Sequence, residues 1–390
     1  MTSYSHDVVI VGGGIHGVGV AQAAAAAGYR TLILERTAIA SGTSRRSSKL
    51  IHGGLRYIET AQLRLVRESL RERRILLALA PDLVRRVPFF IPVYRNTARR
   101  PWTIGAGLTL YALLGGLTPD MRFGALPRRS WDNLDGLQIN ELQTVWRYFD
   151  GQTDDAALAR AVMRSAASFG AELVCPADFV SASRTSAGYH VSYIHEGNER
   201  ESLCRTLVNA TGPWVDLTAQ RVYPPPPRLA VDLIQGTHIV LSGQMNQGVY
   251  YVEAPADGRA VFVMPWKDRT LVGTTETVYE GDPALTHPLP QEISYLTTTM
   301  RHYFPGHNLD IQESFSGLRV LPKGNASPFR RTRETLLLRE SSNPARYIAV
   351  YGGKLTGYRL TAARILRLLH PALPHRAALA DTSRLALTPN

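Results

Sequence analysis

The stretch DVVIVGGGIHGVGVAQAAAAAGYRTLILE, residues 7 to 35, restricts the fold more than any other part of the chain. Residues 7 to 11 form a short β-branched apolar run, GGGIHG leads into an Ala-rich segment, and YRTLILE is a second apolar run ending on an acid. This order predicts strand, glycine turn, helix and strand, a βαβ unit. Gly12, Gly14 and Gly17 make GxGxxG. The first glycine permits the tight turn, the second lets backbone approach a pyrophosphate, and the third lets helix and strand pack closely. Glu35 falls 18 residues after Gly17, where a carboxylate accepts hydrogen bonds from an adenosine ribose. With strand, helix and acid in register, the unit reads as a dinucleotide site rather than a packing turn. The acid disfavours a 2′-phosphate, leaving NAD or FAD.

At 390 residues the chain is long enough for two or three domains. Its 44% hydrophobic and 19% charged residues carry no signature of disorder. Lys and Arg exceed Asp and Glu by 44 − 32 = 12. With a pI near 9.9, that excess points to anionic company: a phosphorylated substrate, nucleic acid or acidic lipid. Cys175 and Cys204 stand alone without CxxC spacing, which excludes a disulfide framework or zinc site and predicts free thiols in a reducing compartment. No metal site is expected. MTSYSH lacks the basic start of a signal peptide, and no run has the length of a membrane span. WTIGAGLTLYALLGGL, residues 102 to 117, reads as a buried core helix, with a monotopic lipid contact as the alternative because TARRP precedes it.

Residues 62 to 80 predict an amphipathic helix with a solvated Arg-rich face, stopped by Pro81. Residues 153 to 170 predict another helix, followed by several short strands. YPPPPR, 223 to 228, is a stiff spacer and the clearest boundary; the β-rich segments THIVLSG, GVYYVEA, AVFVMPW and TLVGTTE beyond it predict an antiparallel sheet. RYIAVYGG and KLTGYRLTAARILRLLH restore strand, glycine turn and helix. The expected fold class is therefore α/β, a Rossmann-like nucleotide-binding domain discontinuous in sequence with a second antiparallel-sheet substrate domain. Residues 1–85, 151–222 and 335–375 are assigned to the first, 86–150 and 223–334 to the second, and 376–390 to a short tail. NATGPW, 209 to 214, after an apolar strand, and YGGKLT, 351 to 356, before a late helix, favour FAD, since a helix N-terminus stabilises the negative charge of a reduced flavin.

Taken in order, SSKLIHGGLRYIE, NATGPWVD, GTHIV, VGTTE, SGLRVLP and YGGKLTGYR resemble the FAD-dependent glycerol-3-phosphate dehydrogenase and oxidase family, a branch of the D-amino-acid-oxidase-like flavoproteins, from about residue 6 to residue 370. The resemblance implies that Ser47, Ser48 and His52 lie along the flavin and that Arg56 and Tyr57 face the substrate. It places Gly212, Gly353, Lys354, Leu355 and Thr356 beside the cofactor. It further implies phosphate and hydroxyl contacts from Arg319, Arg333 and Lys354, and puts His238 near the reacting carbon as the base, with His52 and Arg319 as alternatives. Arg forks match phosphate oxygens two at a time, and several cations converging on one dianion would give both affinity and orientation.

The sequence departs from the family in three places. The chain stops about twenty residues after the last motif's helix, so the resemblance is to a short form lacking a C-terminal helical domain. Arg45 and Arg46 stand where the family carries small residues, and Glu276 ends a motif usually written GTTD. The implied reaction is hydride transfer from C2 of sn-glycerol 3-phosphate to flavin N5, giving dihydroxyacetone phosphate, with electrons passed to a quinone. Oxygen as acceptor, another phosphorylated or acidic alcohol, and a flavin-binding module without turnover are the alternatives. Nucleic acid is not expected, since no RNA-binding fold signature is present. The expected location is cytoplasmic, peripheral on the anionic inner face of the cell membrane; the oligomeric state is left open.

Overall fold

A computed structural model of the chain describes residues 4–324, 331 and 334–389. β1 (His6–Val11), α1 (Ile15–Ala26) and β2 (Thr31–Leu34) form the βαβ unit, with β1 and β2 paired in parallel. Val8–Val11 and all of β2 are buried, which is why both strands read as unbroken apolar runs. The later helices are α2 (Leu63–Leu79), α3 (Pro101–Leu114), α4 (Asp155–Ser168), α5 (Val215–Ala219), α6 (Pro290–Tyr303) and α7 (Tyr358–Leu369). α1 is wedged between α4 and α7 and buried nearly all round, so small residues are required along its length.

Among the described residues the strands form a nine-stranded and a ten-stranded sheet. The first has a parallel centre in the order Tyr347–Tyr351, Asn198–Asn209, β1, β2, Glu172–Val174. The start of Asn198–Asn209 leaves that centre to join an antiparallel meander with Tyr189–His195 and Asp178–Arg184. In the second sheet, Val231–Leu241 pairs antiparallel along its length with Ile311–Pro322 on one side and with Arg269–Gly273 and Thr277–Tyr279 on the other. Ala260–Trp266, Val249–Glu253, Val84–Tyr94 and Leu142–Thr153 extend it.

YPPPPR carries the chain from Val222–Tyr223 in the first sheet to Val231–Leu241 in the second. The sheets draw on alternating stretches of sequence, so the nucleotide-side sheet is discontinuous. Leu50–Ile51, inside the segment assigned to the first domain, pairs with Gly151 and Gln152 of the second sheet. That short strand carries the SSKLIHGG stretch across to the face of the other sheet.

Glu292 of α6 anchors the back of the second sheet. Its carboxylate accepts from Gln235 Nε2 (2.7 Å), Thr237 Oγ1 (2.6 Å), Thr275 Oγ1 (2.8 Å) and Thr277 Oγ1 (2.7 Å). Burial alone would raise its pKa, and these donors outweigh it, holding the carboxyl below its ordinary value.

Two readings of the sequence need correction. The Arg-rich face of α2 is not wholly solvated: Arg73 is 1% exposed, and its Nη1 donates to Asp150 Oδ1 and to the Phe149 carbonyl, both at 2.9 Å. Glu72, equally buried, holds Arg359 of α7. α3 is only half a core helix, because Ile104, Leu108, Tyr111 and Ala112 are buried while Trp102 and Leu113 on its other side are exposed. Within the short tail, Leu379 and Ala380 donate to the Ala26 carbonyl, and Leu387 is buried in the first core.

Removing one partner of a buried ion pair strands the other charge, which costs about 3–5 kcal/mol. Arg73→Met is therefore expected to lower the free energy of unfolding measured in urea by about that much, whereas Arg64→Met, on the exposed side of the same helix, should leave it unchanged within about 0.5 kcal/mol.

Candidate active site

A cavity of about 840 Å³ lies between the sheets, near the upper end for ligand sites. Its wall includes Gly12, Gly13 and Gly14, where β1 gives way to α1. Gly17 is not in the wall but beneath it: a Cβ there would stand 1.8 Å from the Gly12 carbonyl oxygen, so helix and turn meet without side chains between them. Glu35 lines the same region, its Oε2 accepting from Gly13 N (2.6 Å) and its Oε1 from Thr37 N (2.8 Å). Trp214, with Arg36 stacked 5.0 Å from its ring centroid, and Gly212 complete this part.

Lys49 turns out to be structural. Its ammonium donates to Asp155 Oδ1 (2.7 Å) and to the Arg45 carbonyl (2.5 Å), and the residue is 5% exposed. Asp155 Oδ2 also accepts from Ser47 N (3.0 Å) and Ser47 Oγ (2.6 Å). The start of α4 thereby pins the stretch so that Ser47, Ser48, His52, Arg56 and Tyr57 all reach the cavity wall. Further along, Gly53 N donates to Tyr111 Oη (2.8 Å), and a side chain on Gly53 would collide with that hydroxyl at 2.5 Å. His52 N donates to Thr356 Oγ1 (3.2 Å), tying the stretch to the YGGKLT turn, from which Gly353, Lys354, Leu355 and Thr356 line the wall.

Arg56, Arg319 and Lys354 line the same cavity. Lys354 Nζ stands 3.6 Å from the Tyr57 ring centroid, with the Arg56 guanidinium at 5.3 Å from the same ring. Arg56 and Arg319 both approach Glu276 Oε1, at 3.8 and 3.6 Å. Arg333 lies outside the described residues. Arg46, Arg259 and His16 also line the cavity, and sequence reasoning did not select them. His16 sits in GGGIHG itself, where its Nδ1 is buried with no hydrogen-bond partner among the described residues and burial lowers its pKa to about 4. Arg259 carries no motif that could have flagged it.

His238 does not line the cavity. It is 1% exposed and absent from the wall, stacked on Phe315 with centroids 5.1 Å apart, and its Nε2 shares a 2.9 Å hydrogen bond with Ser48 Oγ. Ser48, which does line the cavity, links His238 to it through that hydrogen bond. Burial first, then the Arg319 and Lys49 charges, push its pKa well below 6.5.

The arrangement is that of an α/β redox enzyme: a glycine turn suited to a dinucleotide and the cations Arg56, Arg319 and Lys354 line one cavity beside an antiparallel sheet. The glycine cradle, the Glu35 carboxylate, the cavity's size and the bare backbone of the 352–353 turn fit FAD. The chain belongs to the DAO family of FAD dependent oxidoreductases, whose model matches residues 7–364, and FAD is its cofactor. It is 37% identical over 378 residues to a glycerol-3-phosphate dehydrogenase from Pseudomonas aeruginosa, covering 94% of this chain and 72% of that one. It is 35% identical to a D-erythritol 1-phosphate dehydrogenase from Brucella abortus, covering 94% and 74%. Its fold matches a glycerol-3-phosphate dehydrogenase from Bacillus halodurans complexed with FAD, with a TM-score of 0.77 and 24% identity over 98% of this chain and 67% of that one.

Because His238 stays neutral in the folded chain while a free imidazole protonates near 6.5, its contribution to stability is present above that pH and is lost as pH falls below it. The expected loss averages about 0.7 kcal/mol per pH unit between pH 7.5 and 5.5, about 1.4 kcal/mol in all. Urea unfolding of the holoenzyme at pH 7.5 and 5.5 should show this slope in the native chain and a shallower one in His238→Gln. Equal slopes would mean that His238 protonates freely in the fold.

Proposed function

We propose that the chain oxidises sn-glycerol 3-phosphate to dihydroxyacetone phosphate. The observation that carries the reading is the gathering of Arg56, Arg319 and Lys354, from three distant stretches, into the wall that also holds the glycine cradle. Arginines on a basic chain are ordinarily solvated. Here the Arg56 and Arg319 side chains are only 16% and 20% exposed. A polyol phosphate matches that wall: cations take the phosphate and orient the carbon skeleton.

Gly12–Gly14 and the N-terminus of α1 would hold the pyrophosphate of FAD, Glu35 its adenosine ribose, and Ser48, His52 and residues 353–356 the remainder. Bound FAD supplies the two-electron acceptor for the hydride that leaves C2. The C2 hydroxyl must give up its proton as that hydride departs, and His52, an imidazole in the same cavity wall as Arg56, is the proposed base. His238 serves behind it as a positioning residue, fixing the Ser48 hydroxyl.

Anaerobic titration with glycerol 3-phosphate, D-erythritol 1-phosphate, glycerol and lactate, followed by flavin bleaching, tests the assignment. Glycerol 3-phosphate should bleach at the lowest concentration, and its advantage over glycerol should fall about a hundredfold in Arg319→Ala or Lys354→Ala. His52→Gln should slow bleaching by about 10²–10⁴ with little change in affinity. Unchanged selectivity in both cation variants would move the phosphate site elsewhere.

The proposed electron acceptor is a membrane quinone. A second cavity of about 290 Å³ shares Leu55, Arg56 and Tyr251 with the first and is walled by Ile58 and by Ile104, Ala106 and Leu110 of α3. The outer side of α3 exposes Trp102 (75%) and Leu113 (54%), with Leu117 (66%) just beyond its end, while Arg95, Arg100 and Arg122 flank it exposed. Among the described residues no helix is long and apolar enough to cross a membrane. An apolar face rimmed by arginines suits the surface of an anionic bilayer. The holoenzyme should pellet with vesicles rich in phosphatidylglycerol at low salt, and a Trp102→Gln, Leu113→Gln, Leu117→Gln chain should stay in the supernatant. Equal pelleting of both would remove α3 from the membrane reading, and peroxide formation outpacing quinone-analogue reduction would replace quinone by oxygen.

A further inference from the structure

Glu276 stands inside the cation cluster, and the chemistry proposed above does not use it. Its Oε1 is 3.8 Å from Arg56 Nη1 and 3.6 Å from Arg319 Nη1, and its side chain is 6% exposed. The backbone that carries it is held on both flanks. Thr275 and Thr277 donate to Glu292 at 2.8 and 2.7 Å, and Arg259 Nη1 donates to the Glu276 carbonyl at 3.2 Å. Arg319 itself donates to Thr274 Oγ1 (3.0 Å) and to the Thr275 carbonyl (3.4 Å). The carboxylate is therefore placed between two guanidiniums by a braced strand connection, not by a wandering surface loop.

We infer that Glu276 is a specificity-determining residue of the anion site, an internal competitor for the two guanidiniums that an incoming phosphate meets. The inference rests on the reading of this cluster as the substrate's anion site. A phosphate monoester brings about −1.5 to −2 charges. With the Glu276 carboxylate between them, Arg56 and Arg319 offer that ester roughly half the charge they would offer alone, and the like charge repels it at close range in a poorly screened wall. The repulsion scales with ligand charge: strongest for a dianion, weaker for a monoanion, absent for a neutral alcohol.

The carboxylate also sets polarity. It accepts hydrogen bonds and cannot donate them, so it receives a substrate hydroxyl and turns away a phosphate oxygen, directing the phosphate toward Lys354. A glutamate reaches one methylene further than the aspartate of GTTD, bringing this competition closer to the arginines.

Isothermal titration of the flavin-loaded protein with inorganic phosphate, acetate and glycerol reads the effect without turnover. Glu276→Gln keeps shape and removes charge, and its flavin content and melting temperature report whether the fold is intact. Phosphate is expected to bind about tenfold tighter in Glu276→Gln and acetate about threefold tighter, with glycerol binding no tighter. Glu276→Asp should give a smaller gain for phosphate than Glu276→Gln. Phosphate affinity that is unchanged or weaker in Glu276→Gln, or all three ligands shifting together, would overturn the inference and leave Glu276 as a brace for the arginines. If glycerol 3-phosphate fails to bleach the flavin while phosphate tightens in Glu276→Gln, the substrate assignment falls and this one stands.

Discussion

The cavity exists because β1 and α1 meet almost backbone to backbone. A methyl group at Gly17 would lie 1.8 Å from the Gly12 carbonyl oxygen, and one at Gly12 would lie 2.8 Å from the carbonyl oxygen of Ala210. The βα turn and the distant Ala210 segment are thus locked at one edge of the parallel sheet, where open α/β folds take their ligands. The first-turn N–H groups of α1 face that edge because nothing larger than hydrogen separates helix from turn. Glu35 and the 352–353 turn take up their places around the same edge.

Much of this was legible in the sequence, and for a definite reason. Buried parallel strands need apolar runs, a tight turn needs glycine, and an antiparallel sheet announces itself by alternation, so local pattern carries the information. The proline tract marked the passage between sheets because such a run cannot continue a sheet's interior. What pattern could not carry was the pairing of distant polar groups. Arg73 occupies a place on α2 that looks solvated until Asp150, 77 positions away, is brought against it. His238 lies on a strand in a motif, but its hydrogen bond to Ser48, 190 positions earlier, is made by the fold. Arg56, Arg319 and Lys354 became legible only through motifs shared with a family; residue type alone would have left them on the surface.

The charge distribution shows the same division of labour. An excess of twelve basic residues favours anionic surroundings in general. Selectivity requires something else, namely cations fixed at low exposure and partly offset by a carboxylate of their own. Asp155, Asp150 and Glu292 are buried acids that serve as anchors, each satisfied by several donors, and they set the positions of the wall residues without entering the wall. Buried acids behind, cations in front, is an arrangement in which the fold's polar core and the site's chemistry are the same network seen from two sides.

One bond in that network joins the exterior to the interior. Tyr111 of α3 donates its hydroxyl proton to Asp150 and receives the amide hydrogen of Gly53, two residues into the HGGLRY turn. The outward side of the same helix exposes Trp102 and Leu113. Helix and turn are therefore fastened directly: the helix whose outer side faces solvent also holds the main chain three residues before Arg56.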